Sequence, residues 1–152
     1  MHRYSAAIDS LAARRDTRRA MSQENVALTR RATQAFFSQD VEGWIRCCHP
    51  DIELLLPRNL LEGGSYRGID GARRAFADAY DIWDELHFDL QDTRTVDDYV
   101  VTLGRSTNVG KGNAPTVEFE VAHVARVREG KLVYFRPYQS HREALEAVGL
   151  RE

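Results

Sequence analysis

The side chain best suited to chemistry in this sequence is His123, which lies in a long run of alternating apolar and polar residues. Counting by twos through the predicted strand 116–128 places it on the same face as Phe119 and Val121, because successive strand side chains point to opposite sides. A histidine on an apolar face is either hydrogen-bonded within the core or lines a cavity. In a cavity, its reference pKa of about 6.5 would make it a general acid or base.

Two tyrosines and one arginine are the polar side chains most able to assist His123. Tyr66 lies in a loop bordered by glycines, where a ligand could enter, although a simple turn is an equally good interpretation. Arg136 and Tyr138 share one face of the last predicted strand, where the arginine needs either a buried carboxylate or water. We therefore predict catalytic hydrogen bonds from Tyr66 and Tyr138, and ligand contact by Arg136.

Large apolar side chains are available for the walls of a pocket. Trp44, Tyr80 and Trp83 occur at helical spacing, which favours a core and cavity wall over a cofactor-binding motif. With residues from the predicted strands, the expected ligand-binding wall comprises Trp44, Leu56, Tyr80, Trp83, Phe119 and Val121.

These side chains must be positioned by helices in the first half of the chain and by strands in the second. Ser22, Asp40 and Asp70 are the predicted caps of three helices, and the face of the third continues to Trp83. Ser140 begins a capping box for a last short helix. The predicted strands are 52–56, 86–91, 99–103, 116–128 and 132–138, with a hairpin turn at Glu129-Gly130. Segregated helices and antiparallel hairpins predict an α+β fold, with the helices packed against a curved sheet around an apolar pocket.

Charge divides the 152-residue chain into two parts. Residues 1–20 carry five arginines and two aspartates, whereas the whole chain has a net charge of −2, so the remainder is acidic at −5. We expect residues 1–20 to be a basic N-terminal extension outside the core and residues 21–152 to be one domain. An arginine-rich targeting segment is the less favoured interpretation of the extension. Without a basic face or a run of about 20 apolar residues, neither nucleic acid nor a membrane is an expected partner.

The sequence contains none of the usual cofactor motifs. It has no glycine-rich nucleotide loop, no Gly-x-Ser-x-Gly turn and no metal-ligand spacing of histidines or cysteines. A disulfide between the adjacent Cys47 and Cys48 would be strained, which favours a reducing cytoplasm. We therefore predict no cofactor and no metal, and any catalysis would be cofactor-independent acid–base chemistry.

Residues 21–150 resemble the SnoaL-like branch of the nuclear transport factor 2 superfamily, which also contains ketosteroid isomerase. The resemblance is carried, in order, by QAFFSQDVEGW, HPDIELLLP, YRGIDGARRAF, HVARVREGKLVYFRPY and HREALEAVGL. It implies a cone-shaped α+β barrel with a deep apolar pocket, a short C-terminal helix and a homodimer formed through the sheet.

The resemblance carries over to functional positions only in part. The base of ketosteroid isomerase is an aspartate directly before a proline, and the matching residue here is Leu56. The tyrosine donor of its first helix falls near Ala32. Its second acidic donor, like the acid–base aspartate of polyketide cyclases, matches His123. The resemblance therefore implies a pocket position for His123 and argues against the steroid-isomerase mechanism.

Two functions remain open from the sequence. The first is a cyclase, dehydratase or isomerase that acts on a hydrophobic, oxygenated metabolite, such as a polyketide or terpenoid, through His123. The alternative is a non-catalytic ligand-binding or dimerisation module with the same pocket. A carboxylate and a tyrosine converging on His123 would favour catalysis, whereas an isolated His123 would favour binding.

Overall fold

The structure is a computed structural model that describes residues 2–56 and 64–151, with side chains from residue 10 onward. In chain order, its elements are α1 (His2–Phe37), α2 (Val41–Arg46), β1 (Cys48–Leu55), β2 (Ser65–Arg67), α3 (Gly68–Ile82), β3 (Trp83–Val96), β4 (Tyr99–Gly110), β5 (Thr116–Arg128), β6 (Lys131–Tyr138) and α4 (His141–Ala147). Pro57 and residues 58–63 of the predicted glycine loop lie outside the described residues. The predicted bounds of β5 are confirmed.

The described strands form a single six-stranded sheet in the order β2-β1-β6-β5-β4-β3. All neighbouring strands are antiparallel except β1 and β6, which are parallel. Shifts of register interrupt three of the strand pairs, and irregularities of this kind bend and twist a sheet. The predicted α+β fold with a curved sheet is confirmed.

The sheet has an inner face covered by α1–α3 and an outer face covered by α4. The inner-face core includes the fully buried Trp44, Ile52 and Leu54. On the outer face, Leu145 of α4 belongs to a separate buried cluster with Val124 of β5. Strand alternation thus gives β5 two apolar surfaces, and its odd-numbered residues, including His123, lie on the inner one.

Helix α1 is longer than the sequence analysis predicts. The expected start at Ser22 is wrong, because the helix runs unbroken from His2 to Phe37 and this stretch contains neither glycine nor proline. Every described side chain from Ser10 to Met21 is exposed. The division at residue 20 stays a prediction. Neither α1 nor any other described helix is long and apolar enough to cross a membrane.

The junctions around α3 also differ from prediction. The predicted cap at Asp70 is wrong, since α3 begins at Gly68 and Asp70 lies in its first turn, where a carboxylate still suits the helix dipole. Gly68 has φ +70°, a conformation that glycine adopts without steric cost. Trp83 begins β3 instead of extending the helix. Tyr66 lies in β2, a three-residue strand that was expected to be loop.

Three predicted local motifs are confirmed. The backbone N–H of Gly43 donates to Asp40 Oδ1 at 3.0 Å, which caps α2. The N–H of Glu143 donates to Ser140 Oγ at 3.2 Å, which caps α4. Glu129 and Gly130 both have positive φ, as a tight hairpin turn requires.

Candidate ligand-binding site

A cavity of about 110 Å³ lies between the inner face of the sheet and helices α1–α3. Its walls are mainly aromatic and aliphatic, and its polar lining comes from Thr33, Ser106, Asn108 and His123. Among the described residues, no Asp, Glu or Tyr lines it. The cavity is therefore apolar, with a few uncharged polar groups on one side.

His123 is held at the cavity wall by the alternation of β5. Its side chain is 4% exposed, and Nδ1 lies 3.3 Å from Thr102 Oγ1 on the paired strand β4. Its ring contacts those of Phe88 and Phe135, with centroids 4.7 and 5.1 Å away. The imidazole is thus fixed between aromatic rings and oriented by one hydrogen bond.

Burial determines the charge of His123. Desolvation lowers the pKa of the imidazole from 6.5 to about 4, so the ring is neutral near pH 7. A neutral imidazole has one N–H donor and one acceptor nitrogen. Nδ1 is engaged by Thr102, and Nε2 has no hydrogen-bond partner among the described residues. Nε2 is therefore the nitrogen available to a ligand.

Ser106 and Asn108 form a second polar feature of the cavity that the sequence analysis missed. Both are 5% exposed, and Ser106 Oγ donates to Asn108 Oδ1 at 2.8 Å. They lie in the part of β4 beyond the predicted end at residue 103. Their i, i+2 spacing could have indicated two side chains on one face of a strand. Serine and asparagine are not enriched in strands, however, so this segment was predicted as a loop.

Gly104 allows an aromatic ring to approach His123. A Cβ at this position would lie 2.8 Å from the ring of Phe88 and 2.1 Å from the carbonyl oxygen of Asp89. Because glycine has no side chain, the Phe88 ring lies over β4 and reaches the imidazole of His123.

The structure brings together some of the residues predicted for the site. Trp44, Leu56, Trp83, Phe119, Val121 and His123 all line the cavity, whereas Tyr66, Tyr80, Arg136 and Tyr138 are not among its lining residues. The predicted roles of all ten stay predictions.

Tyr66 and Tyr80 use their hydroxyls within the fold. Tyr66 donates to Asp78 Oδ2 at 2.6 Å, and burial together with this carboxylate raises the pKa of Tyr66 to about 12. Tyr80 donates to the carbonyl oxygen of Phe36, and burial raises its pKa to about 12. Both hydroxyls therefore stay protonated and tie α3 to neighbouring elements.

Arg136 and Tyr138 lie on the opposite face of the sheet from His123. The register pairs His123 with Pro137, so that residues on either side of Pro137 point outward. The guanidinium of the exposed Arg136 lies 4.7 Å from the centre of the Tyr138 ring. This outward cation–π pair explains how the arginine is accommodated without a buried carboxylate.

With this geometry established, comparison with known proteins identifies the family. Residues 29–135 match the model of the SnoaL-like domain family. The chain belongs to this family. A search of curated proteins gives no match.

Solved structures share the fold at low sequence identity. TerC, crystallised with polyporic acid, is 20% identical with a TM-score of 0.69, and the alignment covers 82% of this chain and 97% of TerC. An NTF2-like protein from Burkholderia thailandensis is 26% identical, with a TM-score of 0.67 and coverage of 76% and 90%. A protein with a ketosteroid isomerase-like fold from Catenulispora acidiphila, in complex with trimethylamine, is 15% identical, with a TM-score of 0.66 and coverage of 81% and 92%. These likenesses show the fold.

Proposed function

We propose that this SnoaL-like protein binds a small, largely apolar molecule with one oxygen function in the cavity beside His123. The observation that carries the proposal is an apolar cavity with one oriented, neutral histidine whose Nε2 is free of protein partners among the described residues. Dry apolar cavities of about 150 Å³ bind benzene in an engineered protein. A volume of about 110 Å³ is of the same order and suits a ligand near the size of one ring.

The charge of the cavity selects for a neutral ligand. No charged side chain among the described residues lines it, and an ionised group placed there would lose its hydration without gaining a counter-charge. A hydroxyl or carbonyl oxygen can instead bond to His123 Nε2 or to the polar pair Ser106 and Asn108. The remainder of the ligand would contact aromatic rings.

Binding without chemistry is better supported than acid–base catalysis. A pKa of about 4 makes His123 a weak base near neutral pH. The tyrosines predicted to assist it, Tyr66 and Tyr138, lie outside the described cavity lining, and no carboxylate replaces them there. Among the described residues, no carboxylate or tyrosine joins His123 at the cavity as the enzymatic hypothesis requires.

Titration with phenol and benzene tests the binding proposal. We expect wild-type protein to bind both, and His123→Phe to bind phenol about 2- to 10-fold more weakly because one hydrogen bond is lost. Benzene affinity should change less, since benzene makes no hydrogen bond to His123. Chemical shifts of the cavity residues measure both affinities. Failure of wild-type protein to bind either probe would contradict the proposal.

Proton transfer is the second candidate, favoured by the contact between Thr102 and His123 Nδ1 that orients the ring. Nε2 would take a proton from the carbon next to a ligand carbonyl, exchange it with solvent for a deuteron, and deliver the deuteron to the same carbon of the resulting enolate. Exchange of the α-hydrogens of cyclohexanone in D₂O measures this step. A proton-transfer group contributes about 10²- to 10⁴-fold, so His123→Gln should abolish most of the exchange. Unchanged exchange in His123→Gln and His123→Ala would eliminate this candidate.

The homodimer and the cytoplasmic location also belong to the proposal. The family resemblance supports the homodimer, and the free, buried thiols of Cys47 and Cys48 suit a reducing compartment. Sedimentation equilibrium of the full chain should give twice the chain mass of 17.3 kDa. A monomer mass at all concentrations would contradict the dimer.

A further inference from the structure

A second depression, distinct from the cavity, lies between helix α1 and the edge strand β3. This groove has a volume of about 670 Å³, within the range of about 300–1,000 Å³ typical of ligand pockets. The groove and the cavity share Thr33, Phe37 and Leu86 as lining residues. The two spaces are therefore neighbours separated by single side chains.

One face of α1 forms the first wall of the groove. Arg30, Thr33, Gln34 and Phe37 recur at the spacing of adjacent helical turns and line the groove, and Ser38, directly after the helix, lines it too. The wall is thus apolar at Phe37, with polar side chains along the rest of its length.

The second wall comes from β3 and is more apolar. Leu86, Phe88 and Leu90 alternate along the strand and line the groove. Leu90 is 39% exposed and is one of the few large apolar side chains in the described part of the chain that face solvent. An exposed leucine opposite a helix face gives a ligand apolar area to cover.

Arg30 gives the groove its charge. No Asp or Glu lines the groove among the described residues, and no described carboxylate lies within ion-pair distance of Arg30. His87, the other titratable side chain that lines the groove among the described residues, lies 3.6 Å from Glu85. An anion at Arg30 would therefore meet a guanidinium without a competing internal partner.

The positions of the two walls set the length of a ligand. Gln39 Nε2 donates to the carbonyl oxygen of Asp84, and the ring of Phe37 stacks on that of Phe88, so α1 and β3 run in opposite directions. Arg30 and Leu90 consequently lie toward the same end. Seven residues separate Arg30 from Phe37, which is about 10 Å along the helix axis.

We propose that the groove between α1 and β3 binds an amphipathic monocarboxylate, with its carboxylate at Arg30 and its apolar chain extending between Leu90 and Phe88 toward Phe37. This proposal goes beyond the proposed function, because the cavity is proposed to bind a neutral ligand and the groove an anionic one. The juxtaposition that carries it is an arginine without a described internal counter-charge at one end of a groove whose β3 wall is apolar.

Decanoate and 1-decanol, used below micellar concentrations, separate the charge from the chain. We expect decanoate to bind the wild-type chain more tightly than decanol does. Arg30→Gln should weaken the binding of decanoate about 3- to 10-fold and leave the affinity for decanol unchanged. Added salt should weaken the binding of decanoate but not that of decanol, because salt screens exposed charges. Leu90→Ser should weaken both probes, since it removes apolar wall.

Arg19→Gln is the matched control, because Arg19 is exposed on the same helix outside the groove. Equal losses in Arg19→Gln and Arg30→Gln, or no loss in Arg30→Gln, would overturn the proposal. Decanoate-induced changes of chemical shift that are confined to the cavity residues Trp44 and Phe135 would also overturn the proposal. Decanoate binding at the groove in a chain that does not bind phenol would refute the cavity proposal alone.

Discussion

The two faces of the sheet are both apolar at their centres and both covered by helix, but they are filled differently. On the outer face, the small or aliphatic side chains of Val101, Ala122 and Val124 receive Leu145 from α4, which is 2% exposed, and partly buried tyrosines pack against this buried cluster. On the inner face, rings from three elements meet around His123, with centroid distances of 4.7–6.0 Å. A cavity of about 110 Å³ remains beside them.

The difference shows how side-chain shape decides whether a covered face becomes a site. Flexible aliphatic side chains interdigitate and leave few voids, as is usual in protein cores. Aromatic rings are rigid and prefer offset-stacked, tilted or edge-on contacts, so they adapt less readily to fill the space between them. The inner face therefore keeps an empty volume beside His123, whereas Leu145 of α4 fills the centre of the outer face.

Removing the side chain of Leu145 should have the largest effect, because it opens a void in the filled outer face. Leu145→Ala is expected to lower the free energy of unfolding by about 2–5 kcal/mol, measured by urea denaturation. The affinity of this variant for phenol, measured under conditions where it is fully folded, should stay unchanged. Glu146→Ala on the exposed side of α4 is the control. A loss below about 1 kcal/mol would show that the outer face is not the better packed one.

Acidification should destabilise the inner face through His123. The pKa of about 4 in the folded state lies below the 6.5 of the unfolded chain, so the unfolded state binds the proton more tightly. The contribution of neutral His123 to the free energy of unfolding is fully present above pH 6.5 and is lost as the pH falls toward 4. At about 1.36 kcal/mol per pKa unit, it amounts to about 3 kcal/mol.

Urea denaturation at several pH values in wild type and His123→Gln isolates this contribution from that of the carboxylates. The variant should lose less free energy of unfolding across the same interval. Identical pH dependence in the two proteins would mean that His123 is solvated in the folded state.

A matched pair of valines compares the two faces directly. Val121 lines the cavity and Val124 packs beneath α4, and they are 4% and 2% exposed. Val124→Ala should cost about 2 kcal/mol, and Val121→Ala about 1 kcal/mol, because a side chain beside empty space loses fewer contacts. Thermal and urea denaturation of both variants measure the difference. The reverse order would contradict the comparison.

Deleting residues 1–20 should have the smallest effect, because every described side chain from Ser10 to Met21 is exposed. The free energy of unfolding is expected to change by less than about 0.5 kcal/mol. Phenol affinity should be equal in the two chains. A large destabilisation would place the extension within the domain and refute the division at residue 20.

Patterns of local origin predicted much of the fold and one central residue of the site. Asp40 and Ser140 bond to backbone groups three residues away, so their roles follow from neighbouring residues alone. Alternation along β5 placed His123 on the inner face. The start of α1 was predicted wrongly because a good cap residue at Ser22 does not end a helix when the residues before it are also helix formers.

Residues whose environment depends on distant elements were not predictable in this way. Ser106 and Asn108 reach the cavity because β4 is paired on both sides as far as its end, which overrides their weak strand preference. Tyr66 bonds to Asp78, a partner that only the packing of α3 on β2 brings near. Arg136 and Tyr138 share a face, as predicted, but the pairing of β6 with β5 makes it the outer one.

The sequence by itself determined the α+β class, the family resemblance and the face of β5 that carries His123, because periodicity and capping are properties of residues close in the chain. Tertiary structure alone decided that the cavity is small and lacks a described carboxylate, that His123 is neutral, and that Arg30 lies at the end of a separate groove. Volume, desolvation and charge pairing depend on which side chains meet across elements, and chain order does not specify those meetings.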